Sequence, residues 1–233
     1  MSAHKINFSY LENLDKSNNY NRWIYDCIKP YLGNEILDIG SGLGHIIEYF
    51  PKDKKITLTD CDDKNLFLLS QRFAHQPVQI VKLDITNDKE ALHFKDMDTV
   101  VSLNVLEHIE NDLAAIKNIS GMLKTGGIGI FFVPACPFLY TSLDKSLGHV
   151  RRYTLASLKS KILAAEFSIV RIEYFNIFGM FTWFLTNIVY RRGLPKAATC
   201  KVLDKLVPAL SCIQQHFKFP AGQSILAVAR KET

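Results

Sequence analysis

The residues of this chain able to do chemistry fall into three groups. The first is Asp38-Ile39-Gly40-Ser41-Gly42-Leu43-Gly44, an acid followed by three alternating glycines. Glycine tolerates positive φ and lets a ligand approach the main chain, so something small binds at such a turn. The second is a set of single polar residues ending apolar runs: Asp60, Asp84 and Asn104. Asp60 follows Gly40 by about 20 residues, the spacing at which an acid accepts ribose hydroxyls. Its two acceptor oxygens match a vicinal diol. Asp84 alone reads equally well as a helix cap or turn former. The third group is Leu139-Tyr140-Thr141-Ser142-Leu143-Asp144 and Gly148-His149-Val150-Arg151-Arg152-Tyr153. Histidine titrates near neutrality and can take a proton from a hydroxyl. Arginine can hold a carboxylate or phosphate through two parallel hydrogen bonds.

The glycine spacing narrows the ligand. Dinucleotide sites use G-x-G-x-x-G, whereas this turn is G-x-G-x-G with His45 at the position needed. Asp38 would repel a pyrophosphate and suits a cationic or neutral ligand with an amino group. Both features disfavour a nicotinamide-dependent oxidoreductase.

The elements that must position these groups are legible from periodicity. Ile36–Ile39 reads as a buried strand, with a helix expected after Gly44. Further strands are expected at Lys55–Thr59, Val78–Lys82, Asp98–Asn104 and Ile128–Val133, with helices at Lys64–Phe73 and Asp112–Leu123. Gly126-Gly127 is expected to cap the latter helix. Thr154 is expected to cap a helix to Ala165, followed by a strand at Phe167–Tyr174, an amphipathic helix within Phe175–Tyr190, and a helix over Ala197–Phe217 broken at Pro208. Gln223–Ala229 is the last strand. Strands alternating with helices predict an α/β fold, a doubly wound parallel sheet with ligands beyond the strands' carboxyl ends. Pro134–Tyr153 leaves the fifth strand at that end, so it passes over the ligand as a substrate loop.

The glycine turn, the acid at Asp60 and the post-strand stretch Val105-Leu106-Glu107-His108-Ile109 resemble class I S-adenosylmethionine-dependent methyltransferases of the small-molecule type. The resemblance covers about residues 20–230 and is strongest in 36–62 and 98–153. It implies a Rossmann-like seven-stranded sheet whose last strand is antiparallel beside the fifth, and S-adenosylmethionine as cofactor. It also implies roles: Asp38, Gly40, Ser41, Gly42 and Gly44 at the amino-acid end, Asp60 on the ribose, Asp84 on the adenine amine with Ile85 and Cys61 flanking the ring, and Asn104 and Val105 beside them. Tyr10 or Tyr20 would touch the cofactor from an N-terminal cap helix. The motif L-Y-x-x-L-D…G-H-x-R-R-Y is similar to that of a subgroup of bacterial methyltransferases acting on small or envelope-related molecules. It implies His149 as the leading catalytic base, with His108 and Tyr153 as further catalytic groups and Tyr140, Asp144, Arg151 and Arg152 on the substrate. The bland alternative is that His108, His149 and the arginines merely pin their loops.

Composition sets outer limits. The 233 residues are 48% hydrophobic and 22% charged, which excludes a disordered chain and fits one domain, residues 1–233. That domain would carry a cap helix over about 1–34 and a helical insertion over about 175–220. A net charge of +5 without a basic block, and no N/D-P-P-Y/F sequence, argue against nucleic acid. Five cysteines without a C-x-x-C pair argue against disulfides and zinc, so no metal is expected. No secretory signal follows Met1, which makes a cytoplasmic enzyme the expectation. The acceptor is expected to be a small molecule, hydrophobic or acidic, methylated on oxygen or nitrogen. A non-catalytic S-adenosylmethionine-binding protein is the main alternative. For the aromatic segment 175–192 three readings stay open: a buried helix or substrate lid, a homodimer contact, and a peripheral membrane contact.

Overall fold

The protein's structure is a computed structural model describing residues 18–189, 197–217 and 219–232. Tyr10 and residues 190–192 of the aromatic segment considered above lie outside these residues. Seven strands form one sheet in the order β3-β2-β1-β4-β5-β7-β6: β1 Glu35–Ile39, β2 Lys55–Asp60, β3 Val78–Lys82, β4 Met97–Leu103, β5 Leu123–Pro134, β6 Phe167–Phe175 and β7 Ser224–Lys231. β1 to β5 pair in parallel, and β7 runs antiparallel between β5 and β6. The expected seven-stranded α/β fold with its antiparallel last strand is therefore present.

The central strands alternate their burial between two cores, as period-2 side chains must in a sheet covered on both faces. Leu37, Ile39, Val100, Phe131, Val133 and Ala227 meet one core, with Ile116 and Ile119 of α4 (Asp112–Met122) and Leu158 and Ile162 of α6 (Leu155–Ala164). Ile36, Leu58, Val101, Ile130, Phe132 and Leu226 meet the other, with Trp23, Ile24 and Ile28 of α1 (Asn18–Ile28), Leu69 of α2 (Asp63–Arg72) and Val207 of α8 (Ala197–His216). The remaining helices are short: α3 Asp88–Ala91, α5 Ser142–Ser146 and α7 Ile177–Trp183. Among the described residues, no helix is long and apolar enough to cross a membrane.

Three expectations are corrected. No α-helix follows Gly44; only a 3-10 turn, Ile47–Tyr49, forms. Pro51 leaves too little chain for more, because it drives Phe50 into extended backbone with ψ of 145°. Gly126-Gly127 does not cap α4. The helix passes directly into β5, and these glycines lie in a bulge where Met97 pairs with Leu123 but Thr99 pairs with Ile128. Gly126 has φ of +77° there. Pro208 does not break α8. A proline frees the carbonyl four residues earlier, and that carbonyl, Asp204 O, accepts from Asn19 Nδ2 at 3.1 Å. The Asp204 carboxylate takes the backbone N–H groups of Asn19 and Tyr20 in the same contact, so the potential break is a docking point for α1. The helix expected within Phe175–Tyr190 is present as α7, continued by a π-helical stretch, Phe184–Val189.

Candidate functional site

The glycine turn leaves β1 at its carboxyl end with Gly40 at φ +67° and Gly42 at φ +56°. A Cβ on Gly40 would lie 2.6 Å from a Val105 methyl, so only glycine lets the β1 and β4 loops close on each other. Gly44 serves packing: its missing Cβ would strike the Phe73 ring at 2.5 Å. Thr59 holds the turn, its Oγ1 donating to Asp38 O (2.8 Å) and its carbonyl accepting from Ser41 N–H (2.8 Å).

Two carboxylates line this turn. Asp38 is 6% exposed, and burial, reinforced by neighbouring Asp60 and opposed by a hydrogen bond from Ser41, pushes its carboxyl up to about 7. Asp60 closes β2, its Oδ2 accepting from Gly42 N–H (3.0 Å) and Asn65 Nδ2 (3.2 Å) and its Oδ1 from Asp62 N–H (2.9 Å). Burial still raises its pKa above the usual carboxylate value. Cys61 is exposed beside it. Asp84 is exposed and organises its own turn, accepting from Thr86 N–H and Oγ1, while Ile85 is 5% exposed in the core. Asn104 follows β4 at φ +56° and donates its N–H to Phe132 O. The Tyr20 ring packs edge-on against Phe175 (5.9 Å) where β6 ends.

A second cluster begins three residues beyond Asn104. The 3-10 turn Leu106–His108 carries Glu107 and His108, and the His108 ring meets that of His149 edge-on at 4.8 Å. His149 Nδ1 lies 3.2 Å from Asp144 Oδ1 and its Nε2 lies 3.9 Å from Glu107 Oε1. Arg152 Nε donates to the same Asp144 oxygen at 2.7 Å and its guanidinium stacks on Trp183 at 4.7 Å. Burial pushes the Asp144 carboxyl up, but the hydrogen bonds from His149 and Arg152 outweigh it and leave the pKa below the ordinary value. Val150 N–H donates to Glu107 O at 2.8 Å, tying the two loops together. Glu107 differs from Asp144. It is 0% exposed, neither carboxylate oxygen is hydrogen-bonded by another described residue, and burial, opposed by the charges of His149 and Arg152, raises its carboxyl to about 7.

The structure therefore brings His108 and His149 together with Asp144, but turns other expected groups inward. Tyr153 is 1% exposed. Its hydroxyl donates to Asp112 Oδ2 (2.7 Å) with Leu106 O at 3.1 Å, and burial pushes its pKa far above the ordinary value. It fastens the loop to α4 and does not reach the open face. Arg151 is held by Asp112 (2.8 Å) and the Glu110 carbonyl, and Arg152 by Asp144. Tyr140 keeps an exposed ring while its hydroxyl donates to His149 O at 2.7 Å. Glu107 is the residue that sequence reasoning passed over; its signal was an acid set between Leu106 and His108 in an otherwise apolar run.

Comparison with known proteins agrees with this geometry. A family model described as a methyltransferase domain matches residues 37–128. An uncharacterized methyltransferase of Mycobacterium tuberculosis is 25% identical over 140 residues, covering 60% of this chain and 68% of that protein. A ubiquinone biosynthesis O-methyltransferase of Parvibaculum lavamentivorans is 26% identical over 103 residues, 44% of this chain and 41% of that one. A solved S-adenosylmethionine-dependent methyltransferase from Mesorhizobium loti superimposes with a TM-score of 0.61 at 16% identity, covering 89% of this chain and 96% of that one. At that identity the last likeness speaks for the fold alone.

Proposed function

We propose that the chain is a class I S-adenosylmethionine-dependent methyltransferase, a reading supported by the methyltransferase-domain match over residues 37–128 and the 25%-identical relative, and that it methylates a hydroxyl of a small molecule held over the carboxyl ends of β1 and β4. The cofactor fits the first cluster on chemical grounds. Gly40 and Gly42 bare the main chain, Asp60 offers acceptors for a diol, and Asp38 is a buried acid suited to an ammonium. When bound, S-adenosylmethionine supplies a methyl group on a sulfonium, leaving with the carbon–sulfur electron pair kept on sulfur.

The protein's own work is then to align the acceptor, exclude water and help its proton leave. An amine would need little help, but a hydroxyl needs a proton acceptor or a polarising group. The observation carrying the reading is that Asp144 holds His149 by Nδ1, leaving Nε2 turned toward Glu107. A carboxylate-oriented imidazole is a device for activating a hydroxyl. His149 is accordingly the group on which acceptor activation depends, with Asp144 and Arg152 as positioning residues. Tyr140 borders the same loop with an exposed ring suited to a flat or apolar acceptor.

The test is a screen of phenols and hydroxy acids for acceptor-dependent formation of S-adenosylhomocysteine. At least one acceptor should be turned over, and His149→Ala should lower kcat by ~100-fold or more while cofactor affinity stays within about twofold. Turnover of amines alone, unaffected by His149→Ala, would contradict the assignment.

A further inference from the structure

The corner around His149 holds more than a base needs. We propose that Glu107, His108 and His149 form a binding site for one divalent transition-metal ion of the zinc type. Each residue offers a ligand atom, and the three atoms lie within 4.8 Å of one another. Glu107 supplies the independent evidence. A carboxylate at 0% exposure with neither oxygen hydrogen-bonded is costly unless a positive charge reaches it. His149 Nε2, 3.9 Å from Glu107 Oε1, and Arg152, hydrogen-bonded to Asp144, act on the Glu107 charge from a distance without hydrogen-bonding it, and burial still outweighs them.

The second layer is that of a metal site. The Nδ1 of His149 lies against Asp144, and with the proton on that nitrogen the lone pair of Nε2 faces Glu107. A carboxylate behind a histidine fixes the tautomer and raises the basicity of the ligating nitrogen. Arg152 hydrogen-bonds Asp144, and no other described residue hydrogen-bonds the Glu107 carboxylate, so its oxygens are open to an ion. The frame is firm: Glu107 and His108 share one 3-10 turn, and Val150 N–H to Glu107 O ties that turn to the His149 loop. Bonds of about 2.0–2.2 Å require the ligand atoms to approach to roughly 3–3.5 Å of one another, a side-chain adjustment. Two imidazoles with one carboxylate favour zinc, cobalt, nickel or iron over magnesium or calcium. The cysteine spacing that argued against a metal does not bear on a glutamate–histidine set. With its Nε2 on the ion, His149 is no longer a free base; three protein ligands leave coordination positions open, so the ion would polarise the acceptor hydroxyl and His149 would serve activation as its ligand. That last role rests on the methyl-transfer reading; the site itself does not.

The test uses the full chain stripped with chelator and titrated with cobalt(II) chloride and zinc chloride. Cobalt d–d absorption reports coordination, and calorimetry reports stoichiometry. One equivalent should bind with new visible bands. Glu107→Gln and His149→Gln should each weaken binding at least tenfold, Asp144→Asn by about 10–100-fold, and His93→Gln, an exposed control, not at all. Absence of stoichiometric cobalt binding, or equal affinity in wild type and both ligand variants, would overturn the proposal. Because Glu107→Gln removes a buried charge, His149→Gln decides if that variant misfolds. S-adenosylmethionine is titrated into the same samples: cofactor binding without metal binding sinks the metal site alone, and failure to bind the cofactor sinks the methyltransferase assignment independently.

Discussion

Asp38 and Gly40 show how much one residue can decide at this turn. Asp38 titrates near 7 in the folded chain because burial disfavours its charge. Its folded pKa lies above the unfolded value, so the native state holds the extra proton between about pH 4 and 7. Stability should therefore fall as pH rises through that window and level off above it. In Asp38→Asn that decline should flatten, with Tm differing by about 2–4 °C for each kcal/mol recovered. Melting curves at pH 5 and 8 check it, and equal pH dependence in both proteins would contradict the burial argument. Gly40→Ala places a methyl against Val105 at positive φ. It should cost about 1–3 kcal/mol and abolish cofactor binding. Adding Val105→Ala should restore only part of the stability, since the clash goes but the backbone strain stays; denaturant unfolding of the three proteins measures this.

At the scale of elements, polar contacts at the ends do the positioning. Asp98 at the start of β4 accepts the N–H groups of Asn34 and Glu35 and pairs with Lys124, and together these hold its carboxyl down to about 2. With the folded pKa below the unfolded one, its contribution is complete above about pH 4 and lost as pH falls toward 2. Asp98→Ala should cost about 2 kcal/mol at pH 7 and much less at pH 2.5, as denaturant titrations at both pH values would show. Asp204→Ala should cost about 0.5–2 kcal/mol by uncapping the first turn of α1. These elements also show what a sequence conveys. β2, β3 and α4 lie within a residue of where periodicity puts them, because their apolar spacing follows the sheet and helix periods directly. Local signals misled where a distant partner intervened. Pro208 looked like a break because Asn19 could not be seen waiting for the carbonyl it frees. Gly126-Gly127 looked like a cap because a bulge against Met97 is a property of the pair of strands.

For the whole molecule, the clearest feature is where strain and charge collect. Of the five non-glycine residues at positive φ among the described residues, Asn104, Cys136 and Asn176 follow the carboxyl ends of β4, β5 and β6, while Asp96 and Glu166 precede β4 and β6. Backbone strain of that kind gathers at functional sites. The Gly40–Gly42 turn, Asp60 and the His149 corner occupy the same end of the sheet, where ligands sit in open α/β folds. That convergence was legible early, since strand ends and the loops leaving them can be read from the chain. The inward turn of Tyr153, Arg151 and Arg152 was not, because their partner carboxylates, Asp112 and Asp144, were not recognisable as buried from spacing alone. The central claim, that this end of the sheet binds S-adenosylmethionine with Asp60 holding the ribose, is tested most directly by calorimetric titration of the cofactor and of NAD into wild type and Asp60→Ala. Saturable S-adenosylmethionine binding that weakens at least about tenfold in the variant, ~1.4 kcal/mol, with no NAD binding, is the expected result. No S-adenosylmethionine binding, or tight binding of NAD, would contradict the account.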